Sequence, residues 1–180
     1  MDHFATLLAR ITGRALDDEE ELPAPPTEAA IAEAEAAIGF ALHPLLAAVY
    51  RRVGDGGFGP GELLLPLLGD GTTESAVSAY LTSRTEFAGT EWAWPEGVLP
   101  ILTWGCGMYA AVDCRAEAGT VLLFEPNPGD PDQAWWIDSP SLDAWWAHYV
   151  EDSGWWVAAE EGEDYDQLVP WPDAKARAAR

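Results

Sequence analysis

The runs Val98-Leu99-Pro100-Ile101-Leu102-Thr103-Trp104, Met108-Tyr109-Ala110-Ala111-Val112-Asp113 and Thr120-Val121-Leu122-Leu123-Phe124-Glu125 decide the fold. Each is short, apolar and stocked with β-branched or aromatic residues, and glycine or proline clusters separate them. Runs of this length between turn residues read as successive antiparallel strands, because a helix needs ten or more residues at a 3.6 period. Trp135-Trp136-Ile137 supplies a fourth strand.

Upstream of residue 98 the period is helical. Phe4, Leu7, Leu8 and Ile11 predict a short helix, and the acidic run Asp17 to Glu21 a solvated linker. After the turn residues Pro23, Pro25 and Pro26, Thr27 can cap a helix from Glu28 to about Ile38. Its buried stripe is Ile31, Ala34 and Ile38, and Gly39 is the left-handed residue that stops it. Pro44 suits the first turn of a second helix carrying Leu45, Leu46, Val49, Tyr50 and Val53. Gly54 ends that helix before the tight loop Asp55-Gly56-Gly57-Phe58-Gly59-Pro60-Gly61. Pro66 makes Leu63 to Leu68 an edge strand at best. Thr73 is placed to cap a third helix with Val77, Tyr80, Leu81 and Arg84.

Downstream of the strands, Ser139 or Ser141 caps a last helix with Leu142, Trp145, Trp146 and Tyr149 on one face. Residues 153–180 are acidic and then basic, with Trp155, Trp156, Tyr165 and Trp171 as anchors. Helices, a meander of strands, then a helix: that segregation predicts an α+β fold with helices packed on one antiparallel sheet. The expected organisation is a helix and acidic linker over 1–21, a single domain over 22–152 and an acidic extension over 153–180.

Composition narrows the function. The chain has 31 acidic against 9 basic residues, a net charge of −22, yet carries ten Trp and five each of Tyr and Phe. Disordered acidic chains are poor in aromatics, so a folded acidic domain is expected. Such a charge repels nucleic acid and anionic membranes and steers basic proteins inward. Cys106 and Cys114 cannot make a secreted disulfide framework, and free thiols are expected at both. Neither a secretory signal nor a membrane span is read in the sequence, which makes a soluble protein in the cytoplasm the expectation.

Catalytic patterns are missing. Lys175 is the only lysine and follows no phosphate-binding loop. His3, His43 and His148 are scattered without a metal-ligand spacing, and Asp130-Pro131-Asp132 is no calcium loop. Cys106 and His148 could pair as nucleophile and base, or Cys106 could be a half-buried thiol at the head of a strand. Asp113 and Glu125 could converge as paired carboxylates or end their strands in solvent. The bland alternative is preferred in each pair, so no enzyme, cofactor or metal is expected.

Trp92 and Trp94 lie in Glu91-Trp92-Ala93-Trp94-Pro95-Glu96, a proline-containing loop among acids. They read either as interface anchors within an acidic rim or as a lid over the sheet. As anchors they would join Phe58 on its glycine loop, with Glu86, Glu91 and Glu96 supplying charge, in a partner-binding surface.

The residues above resemble the SUKH superfamily, which contains bacterial toxin-immunity proteins and fungal cell-wall-synthesis regulators. The first block is Leu22-Pro23, then Ile31, Glu35, Ile38, Gly39, Phe40, Leu42 and Pro44, then Tyr50-Arg51-Arg52-Val53 and Asp55-Gly56-Gly57-Phe58. The second is Leu99-Pro100-Ile101, Gly105-Cys106-Gly107, Asp113, Val121-Leu122-Leu123-Phe124 and Asp138-Ser139-Pro140-Ser141-Leu142. Met108 departs from it, standing where the family often has an acid after the second hairpin glycine. The resemblance implies an immunity protein that neutralises a cognate toxin by occlusion. The charge suggests that the toxin is basic, such as a nuclease. The same resemblance also allows an intracellular regulatory or scaffolding module.

Overall fold

The computed structural model describes residues 3–19, 21–160 and 168–178. In chain order the helices are α1 (His3–Asp18), α2 (Glu28–Ile38), α3 (Pro44–Arg52), α4 (Ala76–Glu86), α5 (Leu142–Glu151), α6 (Trp155–Glu160) and α7 (Ala174–Ala178). The strands are β1 (Val98–Gly105), β2 (Met108–Asp113), β3 (Val121–Phe124), β4 (Trp135–Ser139) and β5 (Val169–Pro170). They form one antiparallel sheet in the order β1-β2-β3-β4-β5, so the α+β expectation holds. Among the described residues, no helix is long and apolar enough to cross a membrane.

Strand β1 carries the irregularity that its proline demands. Pro100 pairs with Ala111 and Leu102 with Ala110, so Ile101 is an extra, bulged residue. Its carbonyl turns to accept Leu65 N–H at 2.8 Å, beside a single bridge between Leu64 and Leu102. The Leu63 to Leu68 segment therefore contributes one bridge, not an edge strand.

The helix stops fall where local chemistry puts them. Thr27 accepts from Ala30 N–H at the start of α2, and Gly39 closes it at φ 84°. Ser75, not Thr73, caps α4: it forms a reciprocal capping box with Ser78, which satisfies two orphan donors at once. Leu81 lies on the exposed side of α4, whose buried residues include Val77 and Tyr80. Ser141 caps α5, and Leu142, Trp145, Trp146 and Tyr149 are all buried along it.

Helix α1 runs to Asp18, past the expected linker start at Asp17. Arg14 holds Asp18 one turn on at 2.9 Å and reaches Asp152 at 2.7 Å. Tyr149 O–H donates to Asp18 at 2.8 Å, and Arg10 pairs with Glu151 at 2.8 Å. Leu7, Leu8, Ile11 and Ala15 are buried by this docking on α5 and α3.

Candidate protein-binding surface

Tyr109, Phe124 and Trp135 stand directly opposite one another across β2, β3 and β4 and so share one face. The 87–97 loop lays Trp94 edge-on against all three, at centroid distances of 6.0, 5.0 and 4.8 Å. Its indole N–H donates to the Val98 carbonyl at 2.7 Å, and the ring is 1% exposed. Phe58 is equally enclosed, stacked on Trp146 at 6.0 Å. Neither ring offers surface to a partner, which corrects their placement as anchors. A loop ring beside an apolar sheet face buries itself there, because burying that much apolar area outweighs ordering the loop.

Trp92 is half-buried, edge-on to Phe124, and keeps part of its surface open. Glu86 and Glu91 are exposed, at the end of α4 and in the loop that follows. Glu96 is half-buried and paired with Arg115. Of the candidates read from the sequence, Trp92, Glu86 and Glu91 keep accessible surface.

Six of the arginines are engaged by the chain's own groups. Arg10, Arg14, Arg51, Arg115 and Arg177 pair with the chain's own carboxylates, and Arg84 donates to the Trp94 carbonyl at 2.6 Å.

The candidate catalytic groups do not converge. Asp113 follows the Val112–Val121 pair and Glu125 follows the Phe124–Tyr109 pair, so they sit at opposite ends of the same hairpin. Neither is solvated as expected. Asp113 is 5% exposed and ion-paired with Arg177 at 2.8 Å, while Glu125 is 4% exposed and accepts from Asn127 N–H at 2.7 Å. The second fact of each pair is invisible in strand periodicity, since it depends on residues outside the strand. His43 caps α3: its Nδ1 accepts from Leu45 N–H, which leaves Nε2–H to donate to the Glu117 carbonyl at 3.1 Å. His148 meets the Ser153 hydroxyl at 3.0 Å. Among the described residues, no group of three or more His, Cys, Asp or Glu could hold a metal ion. A cavity of about 140 Å³ between α1 and α5 is lined by Thr6, Leu7, Arg10, Asp143, Ala144 and Ala147, with Arg10 already paired.

Cys106 is exposed at φ 50° in the β1–β2 turn, which corrects its reading as a half-buried thiol at a strand head. Cys114 is half-buried, and burial pushes its thiol up to about 12. Both are free. A thiol reagent at neutral pH should therefore modify Cys106 within minutes and leave Cys114 intact until denaturant is added. Mass spectrometry of the labelled protein checks this, and equal labelling of the two would contradict it.

Asp138 on β4, read from the sequence only as part of a helix start, has a role that sequence reasoning missed. Its carboxylate accepts from Trp155 Nε1 at 2.9 Å, Trp145 Nε1 at 3.3 Å and the Ser139 hydroxyl at 3.0 Å, tying β4 to α5 and α6. Burial nevertheless dominates those bonds and raises its pKa from the ordinary 3.8 to about 6. The folded protein therefore holds this proton more tightly than the unfolded chain does. The stabilisation is full below the unfolded value and is lost as pH rises through about 6. Asp138→Asn should remove that loss, so urea midpoints measured between pH 4 and 7 should fall less in the variant than in wild type. An identical fall in both would assign the pH dependence elsewhere.

The Trp155, Trp156 and Trp171 rings read as anchors are all at least partly buried, with Trp155 and Trp156 against Trp104 and Trp171 against Trp135. Tyr165 lies outside the described residues.

No curated protein matches this chain. The profile of the SMI1/KNR4 family (SUKH-1) does match it, over residues 25–148, a stretch that runs from the entry to α2 into α5 and includes β1 to β4. The chain thus belongs to the SMI1/KNR4 family (SUKH-1), a family that includes toxin immunity proteins.

Proposed function

We propose that this protein is an immunity protein that binds a basic protein toxin stoichiometrically and blocks its active cleft. One observation supports this most: an acidic surface that the chain's own cations cannot cover. Nine basic residues face 31 acidic ones, and Arg10, Arg14, Arg51, Arg84, Arg115 and Arg177 are already engaged within the fold. The remaining field attracts cations from solution and repels phosphate. Family membership supports this class of activity, and the charge supports this class of partner. Glu86 and Glu91 would steer and Trp92 would anchor, with Glu96 contributing less because Arg115 neutralises it.

Affinity capture with tagged protein from its own host should return a cationic partner. Surface plasmon resonance should then show association well above the roughly 10⁵–10⁶ M⁻¹s⁻¹ of uncharged pairs at low salt, and slower association at high salt. Neutralising Glu86 and Glu91 together should lower the on-rate and flatten its salt dependence, whereas Trp92→Ala should chiefly raise the off-rate. An on-rate indifferent to salt would remove the electrostatic basis of the proposal.

A further inference from the structure

The segment 168–178 lies beyond the family match and is laid against the sheet as a strap. Val169 pairs with Ile137 and Pro170 with Trp136, extending the sheet by two residues past β4. Trp171 N–H donates to the Trp135 carbonyl at 2.9 Å, and its ring packs 5.8 Å from that of Trp135. Arg177 then sets its guanidinium on Asp113, with Nη2 on Oδ1 at 2.8 Å and Nη1 on Oδ2 at 3.0 Å. A third bond runs from Nη2 to the Glu96 carbonyl at 3.0 Å. The receiving groups, Asp113 and Glu96, belong to the family domain, while the guanidinium comes from the appended strap.

Two physical facts make this more than a structural ion pair. Asp113 is 5% exposed with the strap in place, so removing the strap strips a bidentate cation from this carboxylate, and an incoming guanidinium restores that pairing. Two parallel bonds to a carboxylate plus a third to a carbonyl also suit a planar guanidinium and not an ammonium. The strap itself is lightly seated along the sheet edge: its ladder is two residues long, Pro170 has no N–H to give, and Val169 is 61% exposed.

We propose that the strap is a displaceable plug over an arginine-binding site, and that an extended, arginine-bearing segment of the cationic partner takes its place. The incoming segment adds a strand to β4 and seats its own guanidinium on Asp113 and the Glu96 carbonyl. This inference deepens the proposed function and rests on it for the partner's identity, while the site itself rests on the strap's geometry.

The probe is a fluorescent synthetic peptide with the sequence of residues 168–178, titrated against the full chain. Wild type should bind it weakly, because the tethered strap competes at high effective concentration. Arg177→Ala should bind at least tenfold more tightly, and adding Asp113→Asn should abolish the gain. A peptide with lysine in place of the arginine should bind at least tenfold more weakly than the parent. Failure of Arg177→Ala to gain affinity, or equal binding of the lysine peptide, overturns the site. Native-state hydrogen exchange on wild type gives a test independent of any variant. The Trp171 amide should exchange at least a hundredfold faster than the Val112 amide of β2, and equal rates would mean that the strap opens only with the whole protein. If the peptide behaves as stated but no cationic protein is captured, the proposed function fails and the site stands. A captured toxin indifferent to Asp113→Asn sinks the partner's use of this site and leaves the immunity reading intact.

Discussion

Trp94→Ala is expected to cost about 3–5 kcal/mol of stability, enough to remove much of a typical domain's margin. The ring is 1% exposed and fills the space between Tyr109, Phe124 and Trp135. Its deletion leaves a cavity among rings that rigid β-strands hold in place, so little can collapse to fill it. It also leaves the Val98 carbonyl without the indole donor 2.7 Å away. Trp94→Phe should lose the smaller part, about 1–2 kcal/mol, because it keeps most of the packing and loses the hydrogen bond. Trp92→Ala, starting from a half-buried ring, should cost about 1 kcal/mol. Urea denaturation followed by near-ultraviolet circular dichroism separates the three. If Trp94→Ala stays within about 1 kcal/mol of wild type, the ring is not a core residue and the anchor reading returns.

Gly56→Ala should be the most damaging glycine substitution in the loop before Leu64, costing more than about 3 kcal/mol. Gly56 has φ 82°, and a Cβ there would lie 2.6 Å from Pro66 N, 2.8 Å from the Leu64 carbonyl oxygen and 2.8 Å from the Leu65 carbonyl carbon. All three are backbone atoms in the segment that makes the Leu65–Ile101 hydrogen bond and the Leu64–Leu102 bridge, so relief would have to move the attachment to β1. Gly71 is the control. It shares the φ of 82° but has nothing within 4 Å of its Cβ position, so Gly71→Ala should cost about 1 kcal/mol for the backbone conformation alone. Equal losses at the two positions would show that conformation, not contact, sets the penalty at Gly56.

What could be read in the chain beforehand follows the range of the forces involved. Hydrophobic period and capping chemistry are local: the first placed β2 at Met108–Asp113 and the α5 face at Leu142, Trp145, Trp146 and Tyr149, and the second the Thr27 and Gly39 limits of α2. Period says nothing about a loop side chain, which is why Trp94 and Phe58 looked presentable and are in fact enclosed. It is equally silent on partners far along the chain. Asp113 finds Arg177 64 residues away, and Asp138 finds Trp155 17 residues away. Strand β5 contains a proline and spans two residues, too little for any alternation to register. The acidic-then-basic composition of the tail was the available signal for Arg177, though composition cannot say which carboxylate an arginine will meet. The exposure of Glu86 and Glu91 was legible from loop chemistry, because polar residues flanking a helix end stay in solvent wherever the helix packs.

The docking of α1 on α5 has a consequence for how the protein is made. Arg10 meets Glu151, 141 residues later, and Leu7, Leu8 and Ile11 are covered by the same contact. On a ribosome adding about 5–20 residues per second, roughly 7 to 28 seconds separate the emergence of the two helices. Throughout that interval α1 can dock on α3 but the part of its apolar stripe that α5 covers stays open, while the hairpins of the sheet, whose partners are neighbours in sequence, can already form as they appear. Helix α1 is thus held in waiting until α5 arrives. Pulse-labelled nascent chains cut short before residue 142 are the species in which chaperones should find this stripe.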